Sequence, residues 1–391
     1  MPPSPDSLRL LDSFAAYMRR QLGPDGPEVV QVGLGESIRS APAGAGVAVV
    51  AGKRSPLGER LYARRSGLRP QWRGTARAVV GAEGVHFTVW DRWDLATAGQ
   101  PPAGFDVLAI VTTFNEADIV EQTLSRLVSG GVRVHVIDNW SNDDTVSIVE
   151  RFLAPGKVSM ERYPAKGPSP YFQLQSLLRR VGEVAHASGA DWVVHHDCDE
   201  IHESAWPGVS LRDGLWAVGQ WGFNCVDHAA IDFRPVDERW KPGDDLASTF
   251  DWFEFGSSHA HFTLLKAWRP QAGIVSNAES GGHSANFEGR SIFPYKFPIR
   301  HYPLRSSAHA RRKLFAERKN RWDPEERAKG WHHHYDDFDE NSRFVWDPSG
   351  LYRWSTVDRD LLLQRISGVW LPNNPRPDEA APWAEPTLPA V

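Results

Sequence analysis

Val107-Leu108-Ala109-Ile110-Val111-Thr112-Thr113-Phe114-Asn115-Glu116 is an apolar run that ends abruptly in polar residues. Five apolar residues without alternation suit a strand buried on both faces, as in parallel sheets. The next apolar positions, Val120, Leu124, Leu127 and Val128, fall at i, i+4, i+7 and i+8, and Gly130-Gly131 follows where a helix would stop. The rhythm then repeats. Val132 to Ile137 reads as a strand ending at Asp138, Asn139 to Asp144 is rich in N-capping residues, and Val146, Val149 and Phe152 mark a short helix. Val158–Tyr163 reads as a third strand, Leu174 to Ala185 as a longer helix, and Trp192 to His196 as a fourth strand running into Asp197. This β-α-β-α-β-α-β order predicts an α/β fold: one Rossmann-like, mostly parallel sheet with helices on both faces and right-handed crossovers.

Ligands bind such sheets outside the carboxyl ends of the strands. Three polar clusters fall there, at Thr112–Glu116, Asp138–Asp144 and Asp197–Glu200. Three successive strands that each end in a carboxylate-bearing cluster point to one shared site. Asp197-Cys198-Asp199 sets two carboxylates one residue apart, and their repulsion in a partly buried site is on the order of several kcal/mol. Compensation comes from a raised pKa, a basic partner, or a hard divalent cation such as Mg2+ or Mn2+. A metal held this way would act as a Lewis acid on a departing diphosphate.

The segments Val-Thr-Thr-Phe-Asn-Glu-Ala-Asp (111–118), Val-Ile-Asp-Asn-Trp-Ser-Asn-Asp-Asp-Thr (136–145) and His-Asp-Cys-Asp-Glu (196–200), in this order and spacing, resemble the family 2 glycosyltransferases of the GT-A fold. The resemblance covers residues 105–205, and Pro298-Ile-Arg-His-Tyr-Pro-Leu-Arg-Ser306 resembles the C-terminal part of one bacterial branch. It implies a nucleotide-sugar donor, with Thr113, Asn115, Glu116 and Asp138 toward the nucleoside and Asp197 and Asp199 at the metal and diphosphate. The implied reaction inverts the anomeric centre by direct displacement. Asp138-Asn139-Trp140-Ser141 departs from the usual Asp-Asp-Gly-Ser, with bulky Trp140 in a normally tight turn.

An inverting displacement needs a carboxylate base downstream of the metal site. Asp227, Asp232, Asp251, Glu254 and Glu279 are available; Glu279 is favoured, in the Asn277–His283 loop, with Asp251 next. His301 is the expected third metal ligand, with His283 second. Arg305, Arg311, Arg312, Lys313, Arg318, Lys319 and Arg321 stand against one acid, Glu317. Such runs are usually a solvated helix face, but this position also suits a diphosphate clamp, with Arg305 nearest and Lys166 as a second phosphate contact. His332-His333-His334 is read as surface or packing.

The whole chain of 391 residues is 41% hydrophobic and 24% charged, which excludes global disorder. Its net charge of −5 gives no overall footprint for nucleic acid. Two cysteines, Cys198 and Cys225, cannot form a disulfide framework. The opening residues lack the pattern of a secretory signal and no apolar run approaches the ~20 residues of a membrane span, so a cytoplasmic protein, at most peripheral to a membrane, is expected. Seventeen tryptophans suit either cores or sugar-stacking platforms. The expected divisions are 1–104, a small β-containing N-terminal segment that opens on a helical pattern over Leu8–Met18; 105–330, the catalytic domain with a donor half (105–205) and an acceptor half (206–330); and 331–391, an extension with a disordered tail. The sequence names no acceptor; a glycan, a lipid-linked precursor or a small molecule is expected. Competing readings are a sugar nucleotidyltransferase, which should carry a glycine-rich phosphate loop after its first strand, and an inactive nucleotide- or carbohydrate-binding protein.

Overall fold

The computed structural model describes the backbone at residues 27–34, 46–52, 77–81 and 84–88, and the chain over 95–354 apart from 207, 256–263 and 333–335. The expected helix over Leu8–Met18 and the tail lie outside the described residues. Strands β1 (Pro27–Leu34), β2 (Gly46–Gly52), β3 (Arg77–Gly81) and β4 (Gly84–Thr88) pair in sequence order as an antiparallel sheet. β2, β3 and β4 match the strands read in the N-terminal segment.

The second sheet is built from β5 (Val107–Thr113), β6 (Arg133–Asp138), β7 (Val158–Arg162), β8 (Trp192–Asp197), β9 (Glu200–His202), β10 (Cys225–Phe233), β11 (Trp252–Phe255), β12 (Leu264–Trp268), β13 (Ile292–His301) and β14 (Tyr352–Arg353). Its first half runs β7-β6-β5-β8 with all pairings parallel, as the rhythm predicts. Every residue of β5 is buried, because both faces are covered. Val107, Ala109 and Val111 join one core with Val120 and Leu124 of α1 (Val120–Ser129) and Val149 of α2 (Thr145–Glu150). Leu108 and Ile110 face the other way, against Leu177, Val181 and Ala185 of α3 (Leu174–Ala187). Gly130 caps α1, and Gly131 turns the chain back at φ 72°.

Beyond β8 the sheet becomes mixed. β12 lies antiparallel to β8, β10 antiparallel to β12, and β13 returns parallel to β10 before its end pairs with β9. α4 (Leu211–Gln220) buries Leu215 and Val218 in the core shared with α1. Residues past 330 fold back onto this half: β14 extends the sheet beside β11, Trp354 enters the main core, and Phe344 packs with Leu304 and Leu314. Among the described residues no helix is long and apolar enough to cross a membrane. Both cysteines are buried, and they form no disulfide.

A close approach fixes α3. A Cβ at Gly182 would lie 2.7 Å from the Val275 carbonyl oxygen and 3.2 Å from the Ile274 side chain, so only glycine lets the 274–277 loop pack here. Gly182→Ala gains up to about 1 kcal/mol of helix propensity but overpacks by about 1–3 kcal/mol. A net loss in denaturant unfolding is expected, whereas Gly104→Ala, with open space around it, should stay within about 0.5 kcal/mol of the parent.

Candidate active site

Parallel register sets Thr112 beside Asp197 and Thr113 beside Asp138, so the three polar clusters share the carboxyl edge of the sheet. A cavity of about 280 Å³ opens there, with Thr113, Glu116, Asp197, Asp199, Glu200 and His301 on its walls. The second half of the fold completes it. β12 brings Lys266, the end of β13 brings His301, and α5 (Ser307–Arg311), running into a π-helical turn at Arg312–Arg318, brings Lys313 and Arg318.

The carboxylates are held in two ionic networks. In the first, Lys266 Nζ donates to Asp197 Oδ2 at 2.6 Å and to both Glu200 oxygens at 2.7 and 2.9 Å, while Thr112 Oγ1 donates to Asp197 Oδ1 at 2.7 Å. In the second, the fully buried Arg305 guanidinium binds Glu116 and Asp118, and Lys313 Nζ donates to Asp199 Oδ2 at 2.7 Å and to Glu116 Oε1 at 3.3 Å. Burial alone would raise Asp197 and Asp199. The ammonium of Lys266, then His195, holds Asp197 well below the usual carboxylate range, and Lys313, His301 and Arg305 do the same for Asp199. Burial pushes Asp118 up against the pull of Arg305, and the charge of Glu116 adds to the rise. His301 donates from Nδ1 to Asp232 Oδ1, 2.7 Å away, and turns Nε2 toward Asp199 Oδ2 at 3.9 Å.

Other expected site residues lie elsewhere. Asp138 is fully buried and is spent on its own turn, accepting from the Ser141 N–H and hydroxyl. Asn115 lies behind the wall: its Oδ1 accepts from the Asn142 N–H at 2.9 Å and its Nδ2 donates to Glu317. Trp140 sits at φ 60°, the region glycine favours, held by its indole N–H on the Pro164 carbonyl and by Arg162 over its ring. Arg305 stands behind Glu116 rather than on the cavity wall. Lys166 is exposed and away from the cavity. Gly281, Gly282 and His283 of the 277–283 loop do line it, but the Glu279 side chain is 76% exposed and pairs with Gln175 and Arg179. Asp251 pairs with Arg353 away from the cavity. Neither expected base reaches the site in this structure. Among the described residues no tryptophan lines the cavity; Trp192, Trp221, Trp240, Trp268 and Trp354 are buried. His332 stacks on Trp322 and reaches the wall.

Sequence reasoning missed Lys266 and placed Glu200 in the third polar cluster without a role. The signal for Lys266 was a lone cation inside the apolar strand Leu264-Leu265-Lys266-Ala267-Trp268. Such a residue in a central strand needs an anion beside it.

Among the described residues no three His, Cys, Asp or Glu side chains already converge as a metal centre. The donor chemistry nevertheless fits a cation. Lys266 serves two carboxylates, with His202 also on Glu200, and Arg305 and Lys313 together serve three, with His301 facing Asp199. The oxygens of Asp197 and Asp199 beside the His301 ring are donors that would suit a hard divalent ion.

No family model matches the chain, and no curated protein does. Among solved structures, residues 1–349 of TarS from S. aureus in complex with UDP-GlcNAc align at 15% identity over 53% of this chain and 61% of that one, with a TM-score of 0.32. A second S. aureus TarS structure aligns at 17% identity over 42% and 28% of the two chains, with a TM-score of 0.28. Glucosyl-3-phosphoglycerate synthase from M. tuberculosis, in complex with Mn2+, UDP and glucosyl-3-phosphoglycerate, aligns at 23% identity over 37% and 48%, with a TM-score of 0.23. The chain thus spans between 28% and 61% of the length of these structures.

The His301–Asp232 pair gives a pH signature. Burial works to lower the His301 pKa, but the hydrogen bond and charge of Asp232, joined by Asp199, raise it above the ordinary histidine value. The stability it contributes is therefore fully present below about pH 6.5 and lost as pH rises through the raised folded value. Asp232→Asn is expected to cost more stability at about pH 5.5 than at about pH 9, measured by unfolding with a chelator present. An equal cost at both values contradicts the pairing.

Proposed function

We propose that this chain transfers a sugar from a nucleoside-diphosphate donor to an acceptor hydroxyl by direct displacement, inverting the anomeric centre. The observation that carries this reading is the convergence of Asp197, Asp199, Lys266 and Lys313 on one cavity at the carboxyl edge of a parallel sheet. That edge is where such sheets receive phosphorylated ligands. The acceptor oxygen forms its bond to the anomeric carbon as the bond to the β-phosphate oxygen breaks; the electron pair leaves on the diphosphate, and the acceptor's proton passes to a carboxylate of the cavity wall or to water. Lys266, Lys313 and Arg318 line the cavity and would face that charge. Asp197 and Asp199, with His301, are the side chains that would hold Mn2+ or Mg2+. When bound, the ion would stabilise the leaving diphosphate as a Lewis acid. Phe172, Leu174, Leu177 and Leu178 form an apolar wall that would exclude water from the reacting centre.

The nucleotidyltransferase alternative loses ground on the backbone. The loop after β5 has no glycine, and its amides are already committed: Asn115 N–H to Ser141 Oγ at 2.9 Å, Glu116 N–H to Thr145 Oγ1 at 2.9 Å, and Ala117 N–H to Asp143. A phosphate cradle needs those amides free.

The test is turnover of a panel of UDP-, GDP-, CDP- and dTDP-sugars in the presence of Mn2+, read as nucleoside diphosphate released. One nucleotide class should be consumed, by transfer or slow hydrolysis. Asp197→Asn is suited as the control because its side chain is 40% exposed and its replacement keeps the shape. It should lower the rate roughly 100-fold or more. A panel that yields neither release nor binding of any nucleoside diphosphate would remove this reading.

A further inference from the structure

Lys313 is 4% exposed, and its ammonium lies on Asp199 Oδ2, the same oxygen that faces His301 Nε2 at 3.9 Å. A cation drawing on that oxygen and on His301 would lie within a few ångströms of this ammonium, and like charges that close in a partly buried site repel by several kcal/mol. Asp197 is held differently: its side chain is open to the cavity and shares Lys266 with Glu200, so Lys266 keeps a carboxylate partner when a metal takes Asp197. Lys313 keeps only the longer contact to Glu116, at 3.3 Å, and that carboxylate is already bound by Arg305. Its flexible stem and compact charge suit a move to another anion. It sits in a π-helical turn, a geometry common at functional sites.

We propose that Lys313 is a resident counter-ion that keeps a lone divalent cation off Asp199, so that cation and nucleoside diphosphate enter together. The ammonium released from Asp199 passes to the phosphate oxygens as the metal arrives. Lys313 thereby couples metal binding to donor binding, and the free protein does not hold a bare metal. The nucleotide half of this inference rests on the sugar-transfer reading; the metal half stands on the Asp199–Lys313 contact alone.

The experiment measures Mn2+ affinity of the full chain by the electron paramagnetic resonance of free Mn2+, with and without saturating UDP, GDP, CDP or dTDP, for the parent, Lys313→Met and Lys313→Arg. The parent should bind Mn2+ at least about tenfold more tightly when one nucleotide is present. Lys313→Met should bind Mn2+ alone at least about tenfold more tightly than the parent, with little further gain from nucleotide, while Lys313→Arg follows the parent. Mn2+ binding to Lys313→Met no tighter than to the parent overturns the proposal. If Lys313→Met does not fold, the parent decides: a tenfold or greater gain with nucleotide supports the coupling, and a smaller one overturns it. Should no nucleotide bind while Lys313→Met still gains Mn2+, the sugar-transfer reading fails and the counter-ion role stands.

Discussion

Five carboxylates, Glu116, Asp118, Asp197, Asp199 and Glu200, crowd the carboxyl edge of one sheet, and the structure beyond β8 is arranged around compensating them. A buried carboxylate without a partner costs several kcal/mol, so the parallel half cannot stand as it is unless cations reach it from elsewhere in the chain. Three do. Lys266 arrives on β12, and Arg305 and Lys313 arrive on the segment after β13. Arg305 has no exposed surface and ties the loop after β5 to a segment 187 residues later in the chain.

The mixed strand directions of the second half place these cations. β12 runs antiparallel beside β8 and brings the Lys266 ammonium within reach of Asp197 and Glu200. β13 pairs with β10 and then β9, which sets His301 between Asp232 and Asp199. His301 thereby joins the carboxylates of Asp197 and Asp199 on the cavity wall.

The parallel half was legible because its signals are local. Continuous apolar runs, helical spacing from Val120 to Val128 and Gly130-Gly131 need no knowledge of distant residues. The second half was not, since which strand lies beside β8 depends on pairing across long loops. Glu279 illustrates the limit: its loop does reach the cavity, yet the turn at Asn277–Gly281 faces its side chain to solvent. Asp138 illustrates another, where a carboxylate in the right place is consumed by its own turn. Lys313 was visible only as one member of a basic run, and nothing in that run marks it as the residue that turns inward.

The most direct measurement is a crystal structure of the chain with a nucleoside diphosphate and Mn2+, collected at a wavelength where manganese scatters anomalously. A manganese peak is expected beside Asp197 and Asp199, with the diphosphate in the same cavity and within reach of Lys266 and Lys313. Ligand found instead in the separate cavity of about 420 Å³ lined by His196, His202 and Trp206, or no ligand at the sheet edge at saturating concentration, would contradict it.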